Sequence, residues 1–226
     1  MKFVFRILKD QLRPNQEPVF LPRGPRSLLV LEGDLTVEHE TGNQHLGSDT
    51  GWVGEEQIAY LAGTQGATLI RWELVSANGD GQSGKLLSAP KATSEVLLNT
   101  EIELDPAFEW LLRCDLVTFP AGTEAPWHMH QGPGLRYLLA GELDAIGPGG
   151  VHKIHKPGDA FLENGVDEAV RAGMSKTEAT SFARGLLLPR ALKSRGSTRL
   201  VKPDDWGTSK GQTYHVYCER FIDLPS

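Results

Sequence analysis

Cysteine is scarce: Cys114 and Cys218 are the only two in 226 residues. Two such distant thiols make neither a disulfide framework nor the paired spacing of a zinc ribbon or redox motif, and a reducing cytoplasm is the compartment this usage fits. Long apolar runs are missing too. Leu28 to Leu31 and Leu186 to Leu188 fall far below the ~20 residues a membrane helix needs. Arg6, Lys9 and Asp10 interrupt the apolar start Phe3-Val4-Phe5 before it reaches signal-peptide length, so neither export nor a membrane partner is expected. There is no basic excess, since 23 Lys and Arg against 29 Asp and Glu leave a net charge of −6. General attraction to nucleic acid is therefore not expected. No Gly-rich phosphate loop, dinucleotide fingerprint or Gly-x-Ser-x-Gly elbow occurs, which sets aside nucleotide and serine-hydrolase chemistry.

Glycine and proline are plentiful, 25 and 14 respectively. Turn-suited clusters such as Gly47-Ser48-Asp49-Thr50-Gly51, Gly147-Pro148-Gly149-Gly150 and Lys156-Pro157-Gly158-Asp159 punctuate short strand-like runs. Those runs are Leu28 to Val37, Thr68 to Val75, Trp110 to Phe119, Leu135 to Leu143, Phe182 to Leu188 and Thr213 to Ile222. Helix signals are confined to Asp105-Pro106 and Lys202 to Trp206. The pattern predicts an all-β barrel or sandwich.

An internal repeat organises the chain. Residues Arg23 to Leu35 align ungapped with Gln131 to Leu143, an offset of 108, and Thr68-Leu69-Ile70-Arg71 echoes Ser181-Phe182-Ala183-Arg184. Two related halves are expected, residues 1–95 and 96–226, with the polar stretch from Ser76 to Ala92 as the linker.

His128 and His130 are two residues apart, so on a strand both rings project from one face about 7 Å apart along the chain, within reach of one cation. Around them, Pro120-Ala121-Gly122-Thr123-Glu124-Ala125-Pro126-Trp127-His128-Met129-His130, followed by Tyr137-Leu138-Leu139-Ala140-Gly141-Glu142, resembles the first motif of the cupin superfamily. Gly122, His128, His130 and Gly141 match it, whereas its acidic position falls on Gly134. Downstream, residues 156–168 resemble the second cupin motif, with Glu168 where a third metal-binding His is expected, or Asp167 if the register slips by one.

The resemblance implies an all-β, jelly-roll-like double-stranded β-helix in which both motifs face one pocket. It also implies one divalent transition metal, iron, manganese, nickel or zinc, held by His128, His130 and Glu168. Two imidazoles and a carboxylate leave coordination positions open. Such a centre suits dioxygenase, isomerase or lyase chemistry on a small oxygenated, anionic organic substrate. The rival expectation is a ligand-binding or regulatory cupin that has lost its metal. Arg136, facing the pocket by parity with position 134, is the candidate substrate clamp, because its planar fork matches two carboxylate oxygens.

The repeat puts Phe20 and Pro22 where His128 and His130 stand, so no metal is expected in the first half, whose role would be to pack against the second barrel or cover its mouth. His39 and His45 read as a solvated hairpin, His152 and His155 as a poor chelating pair, and Cys114 as a packing residue. The strand Thr213 to Ile222 can pair within its own half or with a second copy, so a homodimer is an open expectation.

Overall fold

The computed structural model describes residues 1–77, 92–204 and 211–225. Most of the expected linker and part of Lys202 to Trp206 lie outside the described residues. Among those described, no helix is long and apolar enough to cross a membrane. The chain divides into two compact units, Met1–Cys114 with Tyr217–Ser226, and Asp115–Val216.

The first unit is built on β1 (Lys2–Leu12), β2 (Val19–Leu21), β3 (Arg26–His39), β4 (Gly42–Gly47), β5 (Thr50–Gly54), β6 (Ile58–Ser76) and β7 (Thr93–Glu103). They form an antiparallel sheet in the order β4-β3-β6-β1-β7, with β2 added to β6 and β5 to β3. Inward-facing Leu28, Val30, Leu35 and Val37 of β3 pack with Trp52, Tyr60 and Leu69.

The strands β8 (Trp110–Phe119), β9 (Glu124–His130), β10 (Gly134–Ala140), β11 (Leu143–Ile146), β12 (His152–His155), β13 (Ala160–Glu163), β14 (Val170–Met174), β15 (Thr180–Pro189), β16 (Thr198–Leu200) and β17 (Thr213–Ile222) follow. They make two five-stranded sheets, β13-β10-β15-β8-β17 and β12-β11-β14-β9-β16. Val117, Phe119, Leu138, Leu143, Phe161 and Phe182 form the core of the second unit. The all-β jelly-roll expectation holds.

The division near residue 95 does not. Residue 95 lies inside β7, which pairs with β1 from Lys2↔Glu103 to Gln11↔Thr93, so a cut there would strip β1 of its edge partner. The first unit extends to Cys114 and takes back the chain from Tyr217.

The repeat has structural content at two places. Gly33 and Gly141 share the left-handed backbone, φ 76° and 75°; a Cβ would lie 2.0 Å from Gly66 O in one and 2.5 Å from Thr180 Oγ1 in the other. Only glycine tolerates both the dihedral and the approach. The two echoed arginines also play one part. Arg71 Nε and Nη2 bond both oxygens of Asp10 at 2.6 and 3.1 Å, and Arg184 does the same to Asp115 at 2.6 and 2.8 Å. Each half thus holds a buried, bidentate Arg–Asp pair between strands. At β2 the ungapped alignment slips by one: Val19 and Leu21 face the core, while Phe20 is 42% exposed.

Candidate metal centre

β9 lies between β14 and β16, paired through Val170↔His128 and Thr198↔His130. A bulge separates Val170↔His128 from Ala172↔Ala125: three steps on β9 meet two on β14. An extra residue reverses strand parity, which is how such bulges re-aim side chains. Ala125 therefore faces inward together with His128 and His130, while Trp127 turns outward.

The two imidazoles lie with centroids 5.0 Å apart, nearly perpendicular. His128 Nδ1 is 2.7 Å from the Pro126 carbonyl. A carbonyl only accepts, so Nδ1 carries a proton and Nε2 is the nitrogen left for an ion, the arrangement by which an outer hydrogen bond fixes a ligand's tautomer. His130 Nε2 stands 2.8 Å from Glu163 Oε2, and its Nδ1 is buried without a partner. Burial, helped by the nearby Arg136 guanidinium and opposed by Glu163, pushes His130 down to about 4, so the ring is neutral at pH 7.

Glu163 closes β13 directly opposite Gly134 of β10. Burial alone would raise its carboxyl; Arg136, with His130 and His128, overcomes that and holds it well below the usual carboxylate range. Arg136 Nη2 bonds Oε2 at 2.5 Å, and Nη1 donates to the carbonyls of Gly134 at 2.5 Å and Glu163 at 3.3 Å. Arg136 is 1% exposed, and burial lowers it to about 10 against the pull of Glu163.

One ligand atom from each of His128, His130 and Glu163 lies within 4.8 Å of the others, the one such group among the described residues. Ligands about 2.0–2.2 Å from a common ion stand at most about 4.3 Å apart, so the three donors are close enough for small side-chain movements to bring them onto one ion. His128 Nε2 and the His130 Nε2 beside the Glu163 oxygen fit that role. The three donors line a small cavity of about 30 Å³. Its other walls are largely apolar, including Val117, Phe119, Met174 and Phe182, with Arg184 and Tyr214 adding polar edges. Arg184 sits 5.6 Å from the centre of the Tyr214 ring while bound to Asp115.

No family model matches the sequence, and no curated protein matches it. Solved structures do match in shape. An oxalate decarboxylase variant from Bacillus subtilis superposes with a TM-score of 0.57 at 12% identity, over 80% of this chain and 68% of that one. AerE from Microcystis aeruginosa gives 0.56 at 12%, over 82% and 88%. The chain has the cupin fold. Identity at this level carries the fold and no activity.

Within the cupin fold, His128 and His130 of the first motif line one cavity, and the acidic residue expected from the second does not join them. Glu168 lies outside the donor group. Its Oε1 accepts from Asn164 Nδ2 at 2.9 Å, and its N–H reaches Gly165 O. The physical reason is a turn: Gly165 at φ 102° and exposed Asp167 at φ 69° break the strand between β13 and β14, so inward parity ends at Glu163. Neither Glu168 nor Asp167 reaches the imidazoles' donor group. Arg136 faces inward, but its fork is spent on Glu163 and Gly134 rather than offered to the cavity. Glu163 was missed. Its signal is parity with Phe161, which is buried in the core two residues earlier.

The remaining histidines divide as expected. His39 and His45 border the β3–β4 hairpin, hydrogen-bonded to Thr41 and Thr36. His152 pairs with Asp144 at the surface, while His155 stacks on Phe161 with ring centroids 4.0 Å apart.

Proposed function

We propose that the protein is a metal-dependent cupin whose second unit binds one divalent transition metal through His128, His130 and Glu163 and acts on a small oxygenated, anionic organic molecule. The observation that carries this reading is the convergence of three donors of the right chemistry in one small cavity whose other walls are largely apolar. Two imidazoles and one carboxylate suit iron, manganese, nickel or zinc and leave coordination positions free. The solved Bacillus subtilis oxalate decarboxylase is described with Mn(II) centres, which supports a divalent ion in this fold.

When bound, the ion would polarise an oxygen of the substrate as a Lewis acid or exchange electrons with it. The chain's own residues do the rest. Pro126 O holds the His128 ring by its Nδ1 proton, Arg136 keeps Glu163 ionised and aimed, and the apolar walls exclude water. Dioxygenase, isomerase and lyase reactions all fit this architecture.

A second reading, a ligand-binding cupin without metal, is favoured by the Arg136–Glu163 pair, which already neutralises the carboxylate. Metal analysis of protein purified without a histidine tag or chelator separates the two. Stoichiometric transition metal that disappears in a His128→Ala, His130→Ala double variant supports the enzyme reading; metal-free wild-type protein that cannot be loaded overturns it.

A further inference from the structure

The space over Gly134 is already filled. A Cβ placed there would lie 2.7 Å from Arg136 Nη1 and 2.4 Å from Leu186 Cδ2. The leucine tip is the end of a flexible side chain and can turn aside. The guanidinium is tied down by the Gly134 carbonyl and by the carbonyl and carboxylate of Glu163. Because Gly134 and Glu163 are directly opposed across β10 and β13, a side chain at 134 would leave the sheet on the face where Glu163 meets the imidazoles.

The first unit reaches the same result by a different residue. Arg26, which the repeat aligns with Gly134, is 2% exposed and sits opposite Gly54 and Glu73 on its two neighbouring strands. Its guanidinium bonds Glu73 Oε1 at 3.1 Å, Glu56 O at 3.3 Å and the Pro22 carbonyl. In one half the arginine stands at this position of the strand; in the other it stands two residues on and leans back over a glycine. Both halves keep a buried guanidinium there.

Resting on the metal-centre reading above, we infer that Arg136 is a positioning residue that limits the centre to three protein donors. Its guanidinium fills the seat from which position 134 would offer a fourth, and the same group locks Glu163 as the third. Glycine at 134 is thus a consequence of arginine at 136.

Cobalt(II) is the probe. Affinity is read by competition with a chromophoric chelator, coordination by visible absorption, and fold by circular dichroism, in wild type, Gly134→Glu, Arg136→Leu and the Gly134→Glu, Arg136→Leu double variant. Gly134→Glu alone should bind cobalt no tighter than wild type and melt at lower temperature. The double variant should bind at least tenfold tighter than Arg136→Leu, with weaker visible absorption as the coordination number rises. Equal affinity in Gly134→Glu and the double variant would overturn the inference, because the guanidinium would then be no obstacle. A double variant no tighter than Arg136→Leu would overturn it equally. Wild type that takes up no cobalt would sink the metal reading alone; the inference then stands if the double variant gains a site that Gly134→Glu lacks, and falls if it does not. Should Arg136→Leu fail to fold, Arg136→Lys, which keeps a charge beside Glu163 without the fork, takes its place in both backgrounds.

Discussion

Glu163→Gln keeps the shape of the side chain and removes its charge, leaving the Arg136 guanidinium, 1% exposed, without a counter-ion. Breaking a buried pair by removing one partner costs about 3–5 kcal/mol. The glutamine oxygen still accepts from Arg136 and His130, so a loss near the lower end, about 3 kcal/mol, is expected in metal-free protein. Zinc affinity should fall by at least about 100-fold, since disturbing even an outer partner of a metal ligand costs about 10–100-fold. Glu168→Gln is the control. Its hydrogen bond to Asn164 uses an oxygen the amide retains, and a change within about 0.5 kcal/mol is expected, with zinc affinity unaltered. Denaturant unfolding in the presence of a chelator measures the first quantity and zinc competition the second. A Glu168→Gln variant that loses zinc as severely as Glu163→Gln would refute the assignment of the third donor. So would a Glu163→Gln protein with wild-type stability and affinity.

Two further predictions concern the buried charges. Asp115→Ala leaves Arg184 without its bidentate carboxylate partner and should cost about 3–5 kcal/mol, whereas Asp10→Ala leaves Arg71 still bound to Glu73 at 2.5 Å and should cost less; equal losses in denaturant unfolding would contradict this. Burial would raise Glu73, but Arg71, Arg26 and Arg6 together hold it at about 2 against an ordinary 4.5. A depressed carboxyl stabilises the fold above its unfolded value and loses that contribution as pH falls through the folded one. Stability should therefore drop by about 3 kcal/mol between pH 4.5 and 2, and a Glu73→Gln variant should show a flatter profile over that window.

What the sequence displayed and what it hid follow from the range of each signal. The strand pattern, the glycines Gly33 and Gly141 and the His128-x-His130 pair are local, each fixed by a dihedral or by period-two parity within a few residues. The echo of Arg71 in Arg184 was visible, but its meaning was not, because the aspartates that complete the pairs lie 61 and 69 residues away. The unit boundary failed for a similar reason. A polar stretch looks like a linker, yet β7 beyond it returns to β1 through pairing that spans about 100 residues. Glu163 was missed because a motif counts residues along the chain, whereas a ligand set is decided across it. The count led to Glu168, and two left-handed residues beyond β13 made that count meaningless for direction.

The displaced carboxylate has a consequence for how the site is held. A ligand at 134 would belong to β10, the strand that also carries Arg136; Glu163 belongs to β13, which pairs with β10 over only four positions. Such a short strand fixes its last residue weakly by backbone bonds alone. The Arg136 fork supplies the missing restraint, with Nη1 on the Glu163 carbonyl and Nη2 on its carboxylate, tying main chain and side chain of one residue to the neighbouring strand. A guanidinium placed there for repulsion of a cation alone would need only its charge. One that grips both ends of Glu163 also sets the direction of the oxygen nearest His130, and it is this geometric part that lysine at 136 cannot reproduce.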